Sequence, residues 1–231
     1  MRQIVLDTET TGLDYSRGHR VIEIGCIELV NRRITQSNFH QYINPEREIE
    51  EGAMAVHGIT NEFLLDKPRF EEIVQAFIEF IGDSELIIHN APFDVGFLNH
   101  EIHLVQPDYG KLTKHCKVFD TLKQARQLFP GQKNNLDALS KRYEIKNFDR
   151  SLHGALLDAE ILAHVYLAMT GGQRSLFAED TAQTSALNTA ENNIQHRKTP
   201  IIQANTEEQE AHQRFIELLN KKSDRKCVWE E

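Results

Sequence analysis

The sequence predicts an α/β layer fold: a mixed five-stranded sheet flanked by helices, then a flexible linker and a short C-terminal helix. Three patterns carry this. The chain opens with three strand-like segments in succession, continues as alternating strand and helix, and changes composition sharply after Gly172.

The first strand lies in QIVLDTETTG, Gln3 to Gly12. RVIEIGCIELV (20–30) and RITQSNFHQYI (33–43) read as two more, joined at Asn31-Arg32 as a hairpin. Antiparallel neighbours followed by strand-helix alternation make the sheet mixed. EEGAMAVHGIT (50–60) is a short helix or turn. PRFEEIVQAFIEFIG (68–82) sets Phe70, Ile73, Val74, Phe77 and Ile81 on one helical stripe. Glu85 to His89 is a brief buried strand. Asn90 is placed to cap the next helix, with Pro92 in its first turn and Phe93, Phe97 and Leu98 facing inward. CKVFDT gives a fifth strand ending at Asp120, and TLKQARQLF a helix stopped by Pro130-Gly131. NNLDALSKRYEI and Ala155 to Met169 complete the helices, the latter ended by Gly171-Gly172. Ala178 to Pro200, poor in large apolar residues, reads as a linker. TEEQEAHQRFIELLNKK carries a capping box at Thr206 and Gln209 and an apolar edge of Ala211, Phe215, Leu218 and Leu219.

With 231 residues, 40% of them hydrophobic, the chain can bury a substantial core. No apolar run is long enough for a bilayer, and Asp7 interrupts the N-terminus too early for a signal peptide, so a cytoplasmic location is expected. Cys26, Cys116 and Cys227 are scattered and suggest neither disulfides nor a zinc site. A net charge of −9 argues against gripping long duplex nucleic acid through the protein's own surface. It does not exclude an enzyme that holds only a strand end through bound metal.

Asp7 and Glu9 are i and i+2 on a strand and so share a face. Two carboxylates that close repel, and near a core they are costly unless a cation lies between them. Asp94 follows a buried strand in the first turn of a helix, and Asp158 sits on an otherwise apolar helical face, with His153 just ahead of that helix. Singly, each has a plainer reading: a solvated strand end, a charge favoured by a helix N-terminus, an edge position, a polar loop residue. Together, four acids and a histidine at strand ends and helix starts form a ligand set for hard divalent ions.

These residues resemble the three exonuclease motifs of the DEDDh family, a branch of the ribonuclease H-like fold: Asp7 and Glu9 in LDTETTG, Asp94 in HNAPFDVGFL, and His153 with Asp158 as H-x4-D. AVHGIT (55–60), FDTLKQAR (119–126) and NNLDALSKRY (134–143) also look like that family, and the likeness runs roughly from Met1 to Met169. It implies that Asp7, Glu9, Asp94 and Asp158 hold two divalent ions, Mg²⁺ or Mn²⁺, that His153 is the general base, and that 5′-monophosphates are released from a 3′ end. It further implies that Glu9 and the backbone near Thr8 read the 3′-hydroxyl, with Asp7 and Asp158 also against the substrate, that Leu13 wedges under the terminal base and that His57 lines its pocket. Because a mismatched end costs less to unpair, such a site would favour mismatched 3′ ends, the logic of proofreading.

QRSLF, Gln173 to Phe177, resembles the pentapeptide by which bacterial replication proteins dock on the sliding clamp, with Gln173 at the rim and Leu176 and Phe177 in an apolar pocket. Phe215, Ile216, Leu218, Leu219 and Trp229 offer a partner groove an apolar edge. The layout, exonuclease domain (1–172), clamp-binding-like motif (173–177), linker (178–200) and binding segment (201–231), resembles the proofreading-subunit family of bacterial DNA polymerase III. That resemblance implies a polymerase (alpha) subunit on the C-terminal segment, the clamp on the pentapeptide, DNA 3′ ends as substrate, and room for a small accessory subunit. The alternatives are a stand-alone DEDDh nuclease trimming RNA or DNA 3′ ends, and a non-catalytic bridge with a retired nuclease domain. An intact acid set speaks against the last, since a retired site has no need to keep repelling acids together.

Overall fold

The computed structural model describes residues 1–145, 152–171 and 205–222, with the side chains of residues 218, 219, 221 and 222 left aside. Gln173–Phe177, Ala178–Pro200, Cys227 and Trp229 lie outside the described residues. The chain divides into two units, Met1–Phe177 and Ala178–Glu231.

The first unit is built on a five-stranded sheet of order β3-β2-β1-β4-β5. β1 (Arg2–Thr10), β2 (Val21–Val30) and β3 (Arg33–Tyr42) form an antiparallel meander, while β4 (Glu85–Ile88) and β5 (Val118–Asp120) run parallel to β1. The β2–β3 turn falls on Asn31 and Arg32, both at positive φ, the twist-matched geometry of a two-residue hairpin.

Strand alternation divides the core between two helical layers. Ile4 and Leu6 of β1 pack with α3 (Phe70–Ile81) and α4 (Ala91–Val105); Val5 packs with α6 (Leu136–Arg142) and α7 (Ala155–Thr170). The expected stripe of α3, Phe70, Ile73, Val74, Phe77 and Ile81, is wholly buried. α7 is buried on more than one side, and Gly25 lets it settle directly onto the sheet: a methyl group there would collide with the backbone of Ala155 and Leu156. Elsewhere, α1 (Glu51–His57) and the short α2 (Asn61–Leu64) cover the end of β2 near Ile22, and α5 (Thr121–Leu128) buries Ala125 against the α7 layer. Arg20 and Glu101 tie the start of β2 to α4 through two bonds of 2.8 and 2.7 Å.

β1 continues through Thr10 and holds Asp7 and Glu9 on one face, as their i and i+2 spacing predicts. Two local expectations are corrected. Asn90 stands at the N-cap of α4 in the left-handed region (φ 64°) and makes no side-chain cap bond. In α8 (Thr206–Lys222) the capping box forms one residue earlier than Thr206 and Gln209: Asn205 Oδ1 accepts from Glu208 N at 2.9 Å and Glu208 Oε2 accepts from Asn205 N at 3.0 Å. Asparagine ranks above threonine as an N-cap residue, and Thr206 begins the helix proper.

Gly25→Ala should therefore lower stability by about 1–3 kcal/mol, as overpacking does in a filled core. Gly52→Ala, in α1 with open space around the added methyl, should be neutral or slightly stabilising. Urea midpoints of the two variants check this; equal midpoints would mean that α7 is not seated by Gly25.

Candidate active site

The acids gather where the parallel strands end. Asp7 and Glu9 follow Val5 in alternation and so face the α7 layer, with Asp7 opposite Gly25 and Glu9 opposite Glu23 in the β1–β2 ladder. Since α7 begins over Gly25, its first turn carries Asp158 toward those two acids. Thr8 faces the other layer, and its hydroxyl donates to Asp94 Oδ1 at 2.7 Å. Each layer thus contributes one acid to a pair supplied by the strand.

Asp7, Glu9, Asp94, His153 and Asp158 all line one cavity of about 250 Å³. Glu9, His153 and Asp158 each offer a ligand atom, all lying within 4.8 Å of one another. His153 Nδ1 stands 3.1 Å from Asp158 Oδ2, and the backbone N–H of His153 donates to Val56 O at 3.2 Å, which anchors its loop to α1. Asp94 and Asp158 are each only 3% exposed, so Asp158 is not the water-facing edge position that sequence alone allowed. Burial pushes the Asp94 carboxyl up to about 7, against the lowering effect of the Thr8 hydroxyl. Glu23, buried opposite Glu9, is met by His40 Nε2 at 2.7 Å. A donor set of carboxylates with one imidazole, held close and partly desolvated, fits hard divalent cations.

Leu13 and His57 line a neighbouring slot of about 360 Å³ that also includes Thr8, Glu9, Val56 and Phe93 and so adjoins the acids through Glu9. Leu13 is 82% exposed, as a residue able to meet a ligand must be, while His57 is buried. Its Nδ1 accepts from Ile59 N at 3.0 Å, and desolvation lowers its pKa, so the neutral ring carries its proton on Nε2.

The cavity also includes His89, Asn90, Phe93, Asn135, Leu136 and Asp137, of which sequence reasoning gave none a functional role. His89 Nδ1 and Thr121 Oγ1 lie 2.9 Å apart across β4 and α5. The signal was positional: each lies at a strand end or helix start, beside a motif already in view. Among the described residues, no helix is long and apolar enough to cross a membrane.

Residues 4–166 match the RNase_T family model, described as exonuclease. The chain is 50% identical to the DNA polymerase III subunit epsilon of Escherichia coli over 236 residues, covering 99% of this chain and 97% of that protein. It is likewise 50% identical to the protein of that name from Rickettsia felis over 224 residues, 96% of this chain and 98% of the relative. Among solved structures, it is similar to exonuclease X in complex with 5′ overhanging duplex DNA, at 27% identity and a TM-score of 0.59, over 73% of this chain and 91% of that one. Exonuclease I shares the fold, with a TM-score of 0.63 at 14% identity over 75% of this chain and 41% of that one.

Mg²⁺ or Mn²⁺ should raise the melting temperature saturably, by the equivalent of about 2.7 kcal/mol at a hundred times the dissociation constant. Asp158→Asn should flatten that response. A transition indifferent to either ion in the parent protein would remove the shared metal site.

Proposed function

We infer the activity from a plain premise: this chain belongs to the RNase_T exonuclease family and, within it, to the DNA polymerase III epsilon subunits. It is a 3′–5′ exonuclease acting in proofreading, a phosphodiester hydrolase of the replicase. Divalent-metal dependence follows from the family. The observation that carries the residue-level reading is the meeting of Asp7, Glu9, Asp94, His153 and Asp158, far apart in sequence, around one cavity.

In this reading Asp7, Glu9, Asp94 and Asp158 hold two ions, Mg²⁺ or Mn²⁺. When bound, such ions polarise a phosphate and make water a stronger nucleophile at neutral pH. His153 takes the proton of the attacking water at the ring nitrogen remote from Asp158, and Asp158 fixes the ring through its 3.1 Å approach to Nδ1. Thr8 holds Asp94 in place through its hydroxyl. Glu9 and the backbone at Thr8 meet the terminal 3′-hydroxyl, which makes attack at a strand end the rule. Leu13 wedges under the terminal base, and His57 lines the slot beside it.

Further assignments belong to the same proposal. The exonuclease domain is 1–172, followed by a clamp-binding motif with Gln173, Leu176 and Phe177, a linker (178–200), and a segment (201–231) that binds the polymerase (alpha) subunit. In α8, Phe215 is 60% exposed, an apolar side chain suited to a partner's groove. A small accessory subunit is compatible with this layout, and the cytoplasm is the expected compartment. A stand-alone trimming nuclease is the weaker alternative, since the relatives named for the replicase match nearly the whole chain.

Asp7→Ala or Asp158→Ala should abolish nucleotide release, since a carboxylate proposed to hold the metal is lost, while far-ultraviolet dichroism stays native. Turnover by either purified variant with Mg²⁺ or Mn²⁺ present would overturn the residue assignment. Replacing Leu176 and Phe177 with alanine should weaken clamp binding and spare activity on single-stranded DNA. Equal clamp affinity in surface-capture measurements would release Gln173–Phe177 from that role.

A further inference from the structure

We propose that the strand upstream of the scissile phosphate leaves the catalytic cavity through a polar groove walled by His89, Asn90, Asn135 and Arg126, with Arg126 holding one of its backbone phosphates. This rests on the exonuclease reading above and adds to it a strand direction and a binding site.

The direction follows from how the cavities join. The apolar slot shares Thr8, Glu9 and Phe93 with the catalytic cavity. The groove, about 650 Å³, shares His89, Asn90 and Asn135 with that cavity and has no lining residue in common with the slot. The acids therefore lie between two openings. A strand whose reacting phosphate sits at the acids must place its terminal nucleoside on one side and the remaining nucleotides on the other.

Chemistry selects which side takes which. The slot is lined largely by groups such as Leu13, Ala53, Val56 and Phe93, suited to one base and too apolar for phosphodiesters. Although the chain carries a net charge of −9, no carboxylate among the described residues lines the groove. Its walls offer side-chain amides, an imidazole and the Arg126 guanidinium, which are donors for phosphate oxygens. Arg126 is exposed in the last turn of α5, and no ion pair engages it among the described residues. Its charge is available to a ligand.

The groove is also built in advance. Arg142 donates to Asn134 Oδ1 at 3.2 Å, to Lys133 O at 3.0 Å and to Gln132 Oε1 at 3.1 Å, and its guanidinium lies 4.2 Å from the centre of the Phe129 ring. Asn134, buried beneath, donates to Phe129 O and Gln132 O at 3.1 Å each. These bonds hold the loop between α5 and α6 as a fixed wall, so a bound strand would not have to order it.

The test compares the full-length protein with Arg126→Ala and Arg126→Lys on single-stranded DNA from dinucleotide to octanucleotide with a common 3′ end. A dinucleotide has only the scissile phosphate and cannot reach Arg126 with another. On the octanucleotide, Arg126→Ala should lower kcat/KM about tenfold through KM and reduce the salt slope by about 0.7, as expected for one lost single-strand phosphate contact. The dinucleotide rate should be unchanged, and Arg126→Lys should recover most of the loss. A neutral methylphosphonate at the contacted position should erase the difference between parent and Arg126→Ala. Equal losses at both lengths, or no loss on the octanucleotide, would overturn the groove assignment. A parent protein inactive at every length would instead bring down the exonuclease reading beneath it.

Discussion

Like charges held in a confined cavity constrain everything around them. Asp7, Glu9, Asp94, Asp137 and Asp158 share a space of about 250 Å³, and their repulsion works against the packing that assembles them. The protein meets this with hydroxyl and imidazole contacts: the Thr8 hydroxyl on Asp94, the His153 ring on Asp158, and His40 on the neighbouring Glu23. None of these supplies a fixed multiple charge. A divalent cation would, and metal binding at these acids would then tie stability to activity.

The same constraint explains why both helical layers are needed. One strand can place Asp7 and Glu9 on a shared face, but a third and fourth acid must arrive from elements that cross the sheet end. α7 delivers Asp158 because Gly25 permits contact between its first turn and β2, directly across from Asp7. α4 delivers Asp94 from the opposite layer, fixed by the one β1 side chain that points that way in the acidic stretch, Thr8. Strand alternation thus turns a run of three residues, Asp7 to Glu9, into a site with two supports. Packing at a glycine that carries no functional group of its own helps to assemble the acid cluster.

What the sequence revealed and what it concealed divide along physical lines. The apolar stripe of α3 and the Asn31-Arg32 hairpin were legible because each is set by local periodicity or local backbone preference. The acids were legible because charges on core-facing positions have few structural explanations. The roles proposed for His89, Asn135 and Arg126 were not, since a histidine after a strand, a capping asparagine and an exposed arginine each have an ordinary use, and only the joining of cavities sets them apart. The capping box of α8 was misread by one residue because Thr206 with Gln209 and Asn205 with Glu208 are both admissible pairs, and the choice rests on backbone geometry.

An acidic protein that works on DNA faces an apparent contradiction, and its resolution lies in scale. Long-range attraction depends on net charge, here −9, and at physiological ionic strength it fades over about 8 Å. Binding a strand end depends on charges within that distance, where divalent ions at the acids and Arg126 in the groove would govern. Affinity for DNA at large is then weak by construction, and the time an end spends in the site is set by how easily its last nucleotide leaves the duplex. A paired end resists that transfer and a mismatched one does not. If this surface were basic, it would hold paired ends long enough to erode them; weak intrinsic grip, offset by the proposed tether to polymerase and clamp, keeps discrimination in the unpairing step.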